Sequence, residues 1–227
     1  YCENFSINNK IKLEKIINKS KIKANNHNIF NIKQKKIYTH LKLNIYPDGG
    51  VARLRVYGKI ATEKLNIEKN KLVELSSISN GSLIIATNNE HFGKAENILA
   101  PGRAFNMSDG WETRRRRTKG YDWLIFKFGI PGIVKKIIID TLHFKGNFPD
   151  QCSLQASYIN DLKYNSINKI IHQSTKWKYL INKNKLFANR ENFFENNILI
   201  NKKVNFIRLN IYPDGGISRI NIFGTKN

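Results

Sequence analysis

Cysteine is scarce in this 227-residue chain. Cys2 and Cys152 are the two present, and they build neither a disulfide framework nor a Cys-x-x-Cys metal pattern. No apolar run approaches the roughly 20 residues of a membrane span, and the first residues carry no signal-peptide pattern. These shortages predict a reducing, cytoplasmic setting and no membrane partner. The five histidines, His27, His40, His91, His143 and His172, lack paired spacings such as H-x-H or H-E-x-x-H, so neither metal nor cofactor is expected. Because the chain opens on Tyr1 and not methionine, a start other than the native one is expected.

Acidic residues are also few, 17 against 39 Lys+Arg, for a formal charge of +22. That balance is the usual footprint of a polyanion binder. Two features oppose the reading. Lysine, asparagine and isoleucine dominate together, as in residues 9–26 and 182–203, and all three have A- and T-rich codons. An AT-rich genome gives this bias without selection for binding. The lysines are also scattered instead of being gathered with aromatics into one stripe, as single-strand binders require. No nucleic-acid partner is expected.

Helical periodicity is weak, while a duplication is plain. LNIYPDGGVARLRVYG (43–58) recurs as LNIYPDGGISRINIFG (209–224), identical at ten of sixteen positions, and INKSKIKANNHNIF (17–30) matches INKNKLFANRENFF (181–194) at eight of fourteen. Two copies of one unit are therefore expected, with residues 1–60 the end of the first, 61–76 a connector that could hold a short helical turn, and 77–227 a complete second copy. The repeated motif reads as a β-hairpin. Leu41, Leu43 and Ile45 alternate with polar residues, Pro47 and Asp48 suit the turn, Gly49-Gly50 supply positive φ, and Ala52, Leu54 and Val56 line one face of a second strand. In the later copy Ile207, Leu209 and Ile211 should point inward and Arg208, Asn210 and Tyr212 outward, followed by Ser218, Ile220 and Ile222 inward against Arg219 and Asn221 outward. Further strands are expected at 82–87, 121–129, 134–144 and 153–159. Many short strands with decorated loops predict an all-β fold of tandem jelly-roll sandwiches, the first incomplete.

Chemistry concentrates in DGWETRRRR (109–117) and DTLHFKGNFP (140–149). A planar guanidinium matches a carboxylate bidentately, so arginines beside an acid suit a small organic acid. Glu112 could then give or take a proton; equally, Asp109 and Glu112 could merely neutralise arginines in a solvated loop. On a strand through 138–145, Asp140 falls among apolar neighbours and reads as a structural acid. His143 and Lys145 share the opposite face, where His143 is either an acid/base or simply packed. Trp111 and Trp123 read as core anchors.

HFGKAENILAPGRAFNMSDGWETRRRR, DWLIFKFGIPGIVKKIIIDTLHFKGNFPDQCSLQA and the twice-present LNIYPDGG resemble the allantoicase family over nearly the whole chain. The resemblance implies two tandem jelly rolls of the galactose-binding-like type and hydrolysis of allantoate to ureidoglycolate and urea. It implies a small-molecule partner, allantoate, with a homo-oligomer left open. Arg114 or Arg115 would hold the carboxylate, Glu112 and His143 would be acid and base, and Lys145 and Asn147 would hold the ureido oxygens. The alternative is a galactose-binding-like module that binds without catalysis. Relatives carry DGWETRR-like and DT-x-x-F-x-GN-like segments in both repeats, and this chain has them in the second alone. A fragment, a chain that pairs with another, or a decayed activity would each fit, and an uncovered apolar face is expected in each case.

Overall fold

The computed structural model describes residues 13–58, 60–61, 68, 70–160 and 166–226. Cys2 and residues 62–67 and 69 of the 61–76 connector lie outside them. The chain divides into two units, Tyr1–Arg55 and Val56–Asn227.

In the second unit one stretch decides the architecture. Residues Asp122–Asp140 form a single strand, β4, where two strands were expected. The Gly129-Ile-Pro-Gly132 segment bends the strand without ending it, because ladder pairing with the neighbour is suspended between Lys127 and Gly132. Pro131 therefore sits where no amide donor is needed. Before the bend β4 is flanked by β2 (Leu83–Thr87) and β8 (Val204–Tyr212), and β5 (Gln151–Ser157) and β6 (Lys178–Lys185) continue that sheet beyond β8. After the bend it is flanked by β7 (Glu191–Phe194) and β10 (Arg219–Thr225). Strand β1 (Leu72–Glu74), inside the expected connector, lies on the far side of β10. All these pairings are antiparallel.

The two sheets close on one core. It draws Leu124, Phe126, Leu154 and Leu209 from one and Ile137, Ile139, Ile220 and Ile222 from the other, so the unit is an all-β sandwich. Inward residues of β4 are even-numbered through Val134 and odd-numbered from Ile137. The switch falls at Lys135, an extra residue opposite the Phe223–Gly224 step. Without that bulge the lysine pair 135–136 would be out of phase with the core.

Two sequence expectations need correction. The repeated YPDGG motif is not a hairpin. Strands β8 and β10 never pair; each flanks a different half of β4, and the motif crosses between the sheets. Nor is the second face of β8 outward, since Arg208 and Asn210 are buried. Arg208 donates to Asn210 Oδ1 at 2.8 Å and to Ser174 Oγ at 2.7 Å, and lies over the Trp123 ring. Ser174 ends α1 (Ile167–Ser174), a helix the polar run around it concealed. Its Ile170 packs on Ile125 and Phe206 and covers that face. Residues 41–57, the first copy of the motif, form no strand.

Positions at the crossing explain how the loops meet. Asp122 is opposite Ile211 and Asp140 opposite Arg219, so the bend returns both ends of β4 to the same rim. There β9 (Gly216–Ile217) pairs with β3 (Trp111–Glu112). Of each glycine pair only the first has positive φ, Gly49 at 135° and Gly215 at 137°. Gly216 is needed for a different reason: a Cβ there would lie 2.0 Å from the buried Phe144 ring. Gly216→Ala should therefore destabilise the protein by about 1–3 kcal/mol, read as a lower denaturant midpoint. Gly146→Ala, which meets nothing within 4 Å, is the control. Equal midpoints for the two variants would remove this packing account.

Candidate active site

The site begins with alternation along β3. Trp111 is fully buried and donates its indole N–H to Asn89 O at 2.8 Å, as a core anchor should. Thr113, also buried, accepts from Gly215 N–H at 3.1 Å. Glu112 between them faces the other way. The Asn147 side-chain amide donates to Glu112 Oε1 at 2.5 Å, and among the described residues Oε2 makes no hydrogen bond. Asn147 is fixed in turn by its carbonyl, which accepts from Gly216 N–H at 2.8 Å. Phe144 packs against Gly110 and Gly216, so one ring spaces the 109–112 and 214–217 segments.

His143 lies on a turn and not on a strand face, a correction to its expected placement. Strand β4 ends at Asp140, whose Oδ1 accepts from Leu142 N–H at 2.9 Å, and Phe144 N–H then returns to Thr141 O. This turn puts His143 at φ +70°, held there by its N–H bond to Asn189 Oδ1 at 2.8 Å. Its Nε2 is 2.9 Å from Ala104 O. A carbonyl can only accept, so Nε2 carries the proton and Nδ1 is the basic nitrogen of the neutral ring. His143 and Lys145 line an open depression with Asn106, Met107 and Ser108.

The arginine run divides by function. The Arg114 guanidinium donates to His91 Nδ1 at 3.3 Å, and its backbone N–H reaches Asn89. Arg115 is exposed, and its side chain makes no hydrogen bond or ion pair among the described residues. Arg116 is structural: its backbone N–H bonds Asp214 Oδ2 at 2.8 Å, and its guanidinium pairs with the fully buried Asp122. The structure thus joins Glu112 to Asn147 and His143 to Lys145. Among the described residues no hydrogen bond or ion pair links Arg114 or Arg115 to any of these four. No group of three His, Cys, Asp or Glu side chains stands together among the described residues as metal ligands would.

Arg219 escaped the sequence reading, which treated it as an outward strand residue. It is buried, and it donates to Gly102 O at 3.0 Å and Asp109 Oδ2 at 2.8 Å, tying the 102–109 loop to β10. Its identity with Arg53 across the duplication was the available clue. Asp140 is the structural acid expected, buried and paired with Arg103 at 3.3 Å.

An all-β sandwich whose sequence motif is duplicated, with polar side chains on the loops at one rim, is the class of protein that fold and geometry define. The family model for the allantoicase repeat matches residues 3–61 and 73–227, and the chain belongs to that family. It is 42% identical over 96% of its length to a probable allantoicase 1 of Burkholderia mallei, and 44% identical over 94% to a probable allantoicase of Photobacterium profundum. It covers 64% of each of these relatives, just under two thirds of their length. A solved allantoicase from Saccharomyces cerevisiae superposes with a TM-score of 0.58 at 32% identity, over 70% of this chain and 45% of that one.

Asp109 gives the site a pH signature. Burial opposes its ionisation, but hydrogen bonds from Arg219 and the Phe105 N–H, with the charges of Arg219 and His143, hold its carboxyl below the ordinary value. A depressed folded pKa contributes stability in full above the unfolded value, about 4, and loses it as pH falls through the folded value. Asp109→Asn should cost on the order of 1 kcal/mol at pH 7, and the gap to the parent should narrow below about pH 4. Denaturant unfolding at pH 7 and pH 3 reads this directly. A gap of constant size would show that ionic pairing with Arg219 is not what Asp109 contributes.

Proposed function

We propose that this chain acts in purine degradation, hydrolysing allantoate to ureidoglycolate and urea. The observation that supports the reading best is the Asn147–Glu112 contact, two residues along the chain from Lys145, which lines a depression with His143. It sits on the segments whose motifs the allantoicase repeat model spans. Allantoate carries one carboxylate and two ureido groups on a central carbon. Cleavage breaks one carbon–nitrogen bond, puts the oxygen of water on that carbon and sends a proton to the departing urea nitrogen. One group must therefore donate a proton and another must receive one from water.

Glu112 and His143 take these roles, the first through its free Oε2 and the second through Nδ1. Asn147 orients Glu112 and, with Lys145, holds ureido oxygens. Arg114 or Arg115 takes the carboxylate, and the exposure of Arg115 leaves its planar fork available. We read residues 1–60 as the later part of a first repeat, 61–76 as the connector that delivers β1, and 77–227 as the second repeat. Cysteine scarcity supports a reducing, cytoplasmic setting. Among the described residues no helix is long and apolar enough to cross a membrane.

Urea release from allantoate by the purified chain tests the proposal. Glu112→Gln should lower turnover by about 100-fold or more. Arg114→Ala or Arg115→Ala should raise the allantoate concentration needed for half-maximal rate. Full activity in all three variants would remove the site assignment. A folded parent that binds allantoate saturably yet releases no urea would leave a binding module in place of an enzyme.

A further inference from the structure

We infer that Asp109 is a positioning residue for His143, acting on its imidazole through the peptide that joins Ala104 to Phe105; this role rests on the reading of His143 as acid or base. That one peptide group is bonded at both ends. Its carbonyl, Ala104 O, is 2.9 Å from His143 Nε2. Its N–H, on Phe105, donates to Asp109 Oδ2 at 3.2 Å. The same oxygen accepts from the buried Arg219 at 2.8 Å. A peptide is planar because resonance couples its nitrogen to its carbonyl. An anion on the N–H therefore draws more negative charge onto the carbonyl oxygen, and successive hydrogen bonds strengthen one another. Asp109 thus makes Ala104 O a better acceptor for the ring, without a hydrogen bond of its own to the ring.

The ring gains from this in one of its two states. As a base His143 takes a proton from water at Nδ1, and as an acid it gives one up there. Either way the ring is a cation at one stage and keeps its Nε2–H throughout. A cationic ring donates more strongly than a neutral one. At that stage the polarised carbonyl, with the carboxylate behind it, offsets the ring's charge. No proton passes along the peptide. The influence is mutual, since the charge of His143 is among those that hold the Asp109 carboxyl below its ordinary value. Other charges are disposed differently. Lys145 lines the depression and has the sign of the protonated ring. Asp140 takes the Leu142 N–H and Arg103, and Glu191 stands opposite Asp140 on β7. Among the described residues Asp109 is the acid whose hydrogen bonds lead to the ring.

Two separate anchors bring the peptide and the ring together. Arg219 donates to Gly102 O at 3.0 Å as well as to Asp109, so both ends of the 102–109 loop are fixed on β10 with the Ala104–Phe105 peptide between them. The hydrogen bond from Arg219 also favours the ionised form of Asp109, the form that polarises the peptide. His143 is fixed from the other side, on the turn after β4, where Asn189 Oδ1 accepts its backbone N–H and holds it at φ +70°. The loop is placed by one strand and the ring by the end of another. Their 2.9 Å contact is where the two meet.

The test is nuclear magnetic resonance of the full chain, isotope-labelled at histidine and phenylalanine and free of substrate, with urea release measured beside it. Asp109→Asn leaves an oxygen for the Phe105 N–H and removes the charge. The proton resonances of His143 Nε2–H and Phe105 N–H should then both move upfield. Asp109→Glu, which keeps the charge, should restore part of both shifts. Phe105→Ala removes a side chain that is 91% exposed and keeps the backbone N–H, so the His143 signal should stay in place. In the parent, with no substitution, the Phe105 N–H resonance should follow the protonation of His143 with the same midpoint. In the urea assay Asp109→Asn should lower kcat about tenfold with KM little changed, whereas a merely loosened loop would raise KM. Three results would overturn this role: an unmoved His143 signal in folded Asp109→Asn; an equal shift in Phe105→Ala; or, in the parent, a Phe105 N–H resonance indifferent to the protonation of His143. The resonances are read without turnover. A parent that releases no urea while its signals behave as expected would end the catalytic reading and leave the link from Asp109 to His143 standing.

Discussion

Antiparallel pairing along both edges of β4 is the constraint on which the second unit rests. Neither β8 nor β10 has the other as a partner, and β2 and β7 pair with β4 among the described strands, so β4 is what joins the two sheets. The bend at Gly129–Gly132 lets one strand serve both layers, and the bulge at Lys135 restores the inward phase afterwards. Because the bend also returns the two ends of β4 to one rim, the loops entering at Asp122 and leaving at Asp140 are forced together. Glu112 comes from the first loop and Asn147 from the second, and their contact is a consequence of the strand's course.

Charge at this rim is arranged so that acids fasten arginine-bearing loops to the sheets. Asp122 and Asp140, both buried at the ends of β4, take Arg116 and Arg103. Asp109 takes Arg219 in the opposite sense, with the buried arginine on the strand and the acid on the loop. A buried carboxylate is costly without a partner, so each pair selects one loop position over others. The run DGWETRRRR is accordingly divided. Asp109 and Arg116 are used to hold the loop, and Glu112, Arg114 and Arg115 are the residues to which the proposed function gives the ligand.

The legible part of the fold was what period and repetition report. The duplication, the strands near 83–87 and 151–157 and the β class were all readable, as was the burial of Asp140. Less readable was anything decided by a distant partner. Gly129 to Gly132 looked like a break because turn residues end strands when nothing else intervenes; here two sheets share the strand and the glycines permit the bend. YPDGG looked like a hairpin because local geometry cannot report that β4 lies between the arms. Arg208 and Arg219 looked exposed by alternation, and a helix and a loop that cover them made both buried. His143 was assigned to a strand face because DTLHF continues the alternation, whereas Asp140 ends β4 by accepting from the Leu142 N–H.

The two copies separate what is local from what is not. The asparagine turns at 23–28 and 187–192 have the same hydrogen bonds, so that shape needs only its own six residues. The strands after it form in one copy and not in the other, although the apolar pattern is shared. Among the ten positions identical between 43–58 and 209–224 are three whose work in the second copy is done on residues far away. Asp214 receives the Arg116 N–H, Gly216 admits the Phe144 ring, and Arg219 holds Asp109. Asp48, Gly50 and Arg53 carry the same chemistry with no such partners among the described residues. The first copy therefore keeps the residue types that make these long-range contacts in the second.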